Sequence, residues 1–101
     1  MINVIYSMND DHYTYLSVKG HAESDEYGKD LICASVSSIM FGLMNALDEA
    51  KTNVEIKEKN NHIEIINKTE KELVDNYLEL VLIQLKTIEE SYDEFIKVER
   101  K

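Results

Sequence analysis

Apolar and polar positions alternate through "INVIYS", so that Ile2, Val4 and Tyr6 fall on one side of an extended chain, and "MNDD" then supplies turn-forming residues. The alternation resumes in "HYTYLSVKGH". There Thr14, Leu16, Val18 and Gly20 share one face, and Tyr13, Tyr15, Ser17, Lys19 and His21 share the other. A hairpin of two strands is the simplest reading. The period then changes to that of a helix. In "LICASVSSIMFGLMNALDEA" the residues Ile32, Val36, Ile39, Leu43 and Leu47 recur at helical spacing, with Asp30 placed as an N-cap. A second stripe of Cys33, Ser37, Met40, Phe41 and Met44 runs beside the first. A helix apolar around most of its circumference is expected to be buried on two sides, against the sheet and against a partner subunit.

Alternation returns in "NVEIKEK" and "HIEII", where Val54, Ile56, Ile63 and Ile65 face one layer and Asn60-Asn61 suits a left-handed turn. A capping box of Thr69 and Glu72 then predicts a helix that buries Leu73, Tyr77, Val81, Leu85 and Ile88 and ends near Ser91. "EFIKVER" closes the chain as a short strand. The order β-β-α-β-β-α-β predicts an α+β fold in which a mostly antiparallel sheet carries both helices in two layers. A three-layer arrangement with helices on opposite faces is the alternative. With no proline and no linker-like or repeated stretch, residues 1–101 are expected to form a single domain.

Composition narrows the classes of function. A net charge of -9 works against binding to nucleic acid phosphates and favours a basic partner. The first residues lack the basic and apolar regions of a signal peptide, and no apolar run is read as a membrane span, so no membrane partner is expected. The single cysteine rules out a disulfide within the chain and suits a reducing, cytoplasmic setting. One cysteine and three scattered histidines give no zinc spacing, and no phosphate-binding glycine loop is present; neither a metal nor a cofactor is expected. The carboxylates of Glu89, Glu90, Asp93 and Glu94 read as a solvated face.

The scarce residues gather in "GHAESDEYGKDLICASVSS", which holds the cysteine, one histidine and two of the three glycines. If Asp30 caps the helix, Cys33 sits in its first turn, where free amide protons and the helix dipole favour a thiolate. His21, at a strand end, is then the base that a thiol nucleophile requires. Gly20 and Gly28 are expected to hinge the intervening loop. Ser37 lies one turn beyond Cys33. Each residue also has a plainer reading: cysteines in apolar helices commonly act as small hydrophobes, and a capping aspartate needs no catalytic role. Asp25 and Glu26 would raise a nearby thiol's pKa. A non-catalytic binding module and a thiol redox sensor are therefore alternatives, the latter requiring a second thiol from another molecule.

The same stretch resembles the signature of the bacterial ribosomal-processing cysteine protease family, Prp, in which G-H-A and a loop precede G-x-D-[IVL]-[VI]-C-A-[AG]-[VI]-[ST]. Gly20, His21, Ala22, Gly28, Asp30, Cys33, Ala34, Val36 and Ser37 match it, and "FGLMNAL" is similar to the family's continuation of the helix. The resemblance is close over residues 20–47 and loose over the rest. Ser35 departs from the family's Ala or Gly, and "ESDEY" is more acidic than the family's loop. The resemblance implies a cytoplasmic, homodimeric cysteine endopeptidase without a cofactor. Its substrate would be the N-terminal extension of a large-subunit ribosomal protein, the twenty-seventh in the usual numbering, removed during ribosome maturation. Cys33 would be the nucleophile and His21 the base, with Asp30 and Ser37 in support.

Overall fold

The computed structural model describes the backbone of residues 1–20 and 27–101, and the side chains of these apart from 27–30. The elements follow the expected order: β1 (Ile2–Asn9), β2 (His12–Lys19), α1 (Tyr27–Glu49), β3 (Glu55–Lys59), β4 (His62–Ile66), α2 (Glu72–Ser91) and β5 (Ile96–Arg100). They build a five-stranded sheet in the order β3-β4-β2-β1-β5. Three of its pairings are antiparallel, and β5 returns parallel to β1. A parallel return needs a crossover, which α2 supplies. Asn60 and Asn61, with φ of 49° and 61°, make the left-handed turn between β3 and β4.

The register explains the layers. Val4 stands opposite both Val18 and Val98, and Leu16 opposite Ile65, so these side chains line one face of the sheet. That face joins Ile32, Val36, Met40, Leu43 and Leu47 of α1 and Val74, Leu78, Val81, Leu82 and Leu85 of α2 in a single buried cluster. Both helices therefore lie on one side, and they pack on each other. This is the two-layer arrangement; the three-layer alternative is set aside. The segment Leu31–Glu49 is long and apolar enough by composition to cross a membrane, contrary to the reading that no such run exists. Here its most apolar stripe is spent on the core.

Four local expectations are corrected. The register of β1 against β2 slips between Ser7 and Met8, which turns Tyr13 to the helix side, where its ring meets Tyr6 at a centroid distance of 6.2 Å. The buried stripe of α2 is rotated from the expected one: Val74 and Leu78 are fully buried and Leu73 is exposed. Because apolar residues surround much of this helix, periodicity alone allowed either stripe. Thr69 does not cap α2. Its hydroxyl donates to Asn67 Oδ1 at 2.7 Å, and Lys71 is the N-cap without a side-chain bond. Glu89 is not part of a solvated face, since its carboxylate accepts the Val98 N–H at 2.7 Å and so covers a polar group on the edge strand β5.

The first turn of α2 is held to the β1–β2 hairpin by Asp75. One of its oxygens accepts the Tyr13 N–H at 2.9 Å, and the other lies 2.7 Å from His12 Nδ1. The hydrogen bond to Asp75, aided by the charges of Asp75, Glu70 and Asp11, raises His12 above its ordinary pKa of 6.5 against a smaller opposing effect of burial. A raised folded-state value means that the pair stabilises fully below pH 6.5 and fades as the pH climbs through the raised value. His12→Gln is therefore expected to lower the melting temperature at pH 5.5 and to leave it nearly unchanged at about pH 9. An equal loss at both values would remove the imidazolium from this account.

Candidate functional site

The end of β2 is fixed by Gly20. Its φ of +96° is a conformation that L side chains rarely adopt, and a Cβ placed there would lie 2.6 Å from the Met1 carbonyl oxygen. The Gly20 N–H donates to the Asn61 carbonyl at 3.1 Å. The turn at Asn60-Asn61 thus does more than reverse the chain, because it ties the tip of the β3–β4 hairpin to the strand end that leads into His21.

Opposite this seam stands α1. Cys33 and Ser37, four residues apart, fall on the same side of the helix and line one cleft of about 120 Å³ together with Gly20. Val18, Val36, Met40 and Ile63 give the cleft apolar walls, and the half-exposed Phe41 adds an aromatic ring. Glu58 and Asn61 of the hairpin complete its polar share. Cys33 is a free, half-buried thiol. It is neither sealed in hydrocarbon nor fully in water.

The helix begins earlier than expected. With α1 starting at Tyr27, Asp30 is its fourth residue and not its N-cap, and Gly28 lies inside the helix and not in a loop where it would serve as a hinge. Cys33 accordingly sits in the second turn, where regular helix geometry commits its own amide to the carbonyl four residues back. The expectation of a thiol among free first-turn amides is therefore corrected. Of the residues singled out in the sequence, the structure brings Gly20, Cys33 and Ser37 to one cleft. His21 and the side chain of Asp30 lie outside the described residues. Ser35, the departure from the family pattern, turns its hydroxyl back to the Leu31 carbonyl at 2.9 Å. The sequence reading missed Glu58, Asn61 and Phe41 as parts of the site. An acid at an inward-facing strand position was the one available signal for Glu58.

Comparison with known proteins adds the chemistry. Residues 1–97 match the family model for cysteine protease Prp. The chain is 34% identical, over the full length of both, to the ribosomal processing cysteine protease Prp of Staphylococcus aureus strain Mu50. It is 36% identical to the protein of the same name from Mycoplasma pneumoniae, over 83% of this chain and 84% of that one. In three dimensions it is similar to the S. aureus ribosomal processing protease Prp crystallised with a covalently linked product peptide, with a TM-score of 0.89, 33% identity and full coverage of both chains. The same protease in complex with a substrate peptide gives a TM-score of 0.90 at 32% identity, again over both full chains.

Proposed function

Since the chain belongs to the cysteine protease Prp family, and is thereby a cysteine protease, we propose that Cys33 is its nucleophile and His21 its base. The proposed reaction removes the N-terminal extension of a basic large-subunit ribosomal protein, the twenty-seventh, during ribosome maturation in the cytoplasm. The observation that carries this reading is that the free thiol of Cys33 lines a cleft bounded by Gly20, the residue immediately before His21. Family membership disfavours the non-catalytic binding module. A redox sensor would need a second thiol, which this sequence does not contain.

In the proposed step the Cys33 thiol gives its proton to His21 and the sulfur attacks the scissile carbonyl. The imidazolium returns that proton to the departing amine, leaving an acyl-thioester that water hydrolyses. Ser37, one helical turn from the sulfur and in the same cleft, offers a hydroxyl to the bound chain, and Asp30 keeps the supporting role that the family resemblance implies for it. The apolar walls suit bulky uncharged side chains around the scissile bond. Incubation with the extended ribosomal-protein precursor should yield two products whose masses add to that of the precursor plus one water. A precursor of unchanged mass after prolonged incubation would reject the assignment.

The active species is proposed to be a homodimer, in keeping with the exposed apolar side chains Leu80 and Ile83 of α2 and Leu31 and Phe41 of α1. Sedimentation at micromolar concentration should report twice the 11.7 kDa chain mass, and a monomer would remove this element.

A further inference from the structure

We propose that Glu58 is a specificity residue, whose carboxylate reads a lysine or arginine side chain on the peptide held in the Cys33 cleft. The proposal rests on the peptidase reading of that cleft. It begins with strand parity. Ile56 pairs with the fully buried Ile65, which sets the helix-facing side of β3; Glu58, two residues on, is presented to that same side. A carboxylate at an inward-facing position departs from the pattern that folds a sheet onto helices, and such departures concentrate at functional sites. Here the hairpin tip extends to the cleft instead of the core, so Glu58 stays exposed while lining the same space as Cys33.

Two further observations give the carboxylate its role. Glu58 makes no ion pair among the described residues, whereas nearby Glu55 is met by Lys57 at 3.7 Å. Among the described residues that line the cleft, Glu58 is the one acidic or basic side chain; its companions are the thiol, a hydroxyl, an amide, a glycine and uncharged apolar side chains. A cleft so composed accepts uncharged side chains along its walls and a single cation at its acidic edge. Its substrate class is therefore an apolar peptide segment with a basic residue within reach of Glu58, and a peptide bearing an acid at that place is disfavoured by like charge.

The test separates recognition from turnover. Synthetic peptides spanning the extension junction of the precursor, each with one Lys or Arg replaced by Gln, are bound to the Cys33→Ala chain at low salt and followed by fluorescence anisotropy. At one peptide position the basic form should bind about two- to fivefold more tightly than the Gln form, the size that an exposed ion pair provides. In Cys33→Ala/Glu58→Gln that ratio should fall to one, and in Cys33→Ala/Glu58→Lys it should invert. A ratio unchanged by Glu58→Gln overturns the proposal, even if the unsubstituted protein cleaves every peptide. A ratio that collapses as expected, with no cleavage by the unsubstituted protein, would uphold recognition by Glu58 and overturn the peptidase reading instead.

Discussion

Cys33→Ala is expected to lower kcat/KM for the precursor by at least about a thousandfold, because the covalent route through the thioester is lost and only binding and positioning remain. The fold should survive. Cys33 lies at the edge of the core and not among its fully buried members, so removing its sulfur leaves no sealed cavity. Thermal unfolding and circular dichroism of the variant should overlay those of the parent within a few degrees. His21→Ala should give a loss of similar order, since nucleophile and base act as a unit. Substantial turnover by Cys33→Ala, with its fold intact, would rule out covalent catalysis by this thiol.

Gly20→Ala is expected to produce the largest loss of stability from a single added methyl group, about 2 to 4 kcal/mol. Two costs combine: a side chain forced to φ of +96°, and a Cβ driven to 2.6 Å from the Met1 carbonyl oxygen, a backbone atom that cannot turn aside as a flexible side chain would. For a domain of this size the melting temperature should drop by roughly 10 °C or more. Gly42 is the internal control. A Cβ there meets nothing within 4 Å, so Gly42→Ala in mid-helix should be neutral or stabilising by up to about 1 kcal/mol. Equal melting temperatures for the two alanine variants would show that the strain at the end of β2 is illusory.

How far the fold could be read beforehand depended on how local each cause was. Strands and helices announced themselves because Ile2, Val4, Leu16 and Val18 alternate, while Ile32, Val36, Leu43 and Leu47 recur at helical spacing, and all eight are buried. The left-handed Asn60-Asn61 turn was legible for the same reason: its cause lies in two adjacent side chains. The place of β5 beside β1 was not, since strand order is decided by the crossover and by contacts remote in sequence. Tyr13 faces the helices because of a slip in register, and a register slip leaves no mark on a pattern of alternating residues. In α2, where apolar residues cover more than one side, the stripe that met the sheet was chosen by packing.

The candidate site divides in the same way. Cys33, Ser37 and Gly20 could be picked out because rare residue types at fixed separations carry their own signal. The start of α1 could not be fixed, because Asp30 looks equally well suited to cap a helix or to occupy its first turn. Glu58 is distant in sequence from the thiol and comes to line the same cleft only once the sheet has assembled with β3 at one of its two edges.

The contact between Met1 and Gly20 bears on how the protein is handled at the bench. Ile2 lines the thiol's cleft and the Met1 carbonyl abuts Gly20, so an affinity tag joined ahead of Met1 would emerge beside the entrance and obstruct an arriving peptide. Lys101 leaves the sheet next to Tyr6, whose carbonyl accepts its N–H at 2.8 Å, about 13 Å farther along β1 from Ile2. A purification handle attached there would hang clear of the entrance, and assays of the two fusions side by side would report obstruction directly.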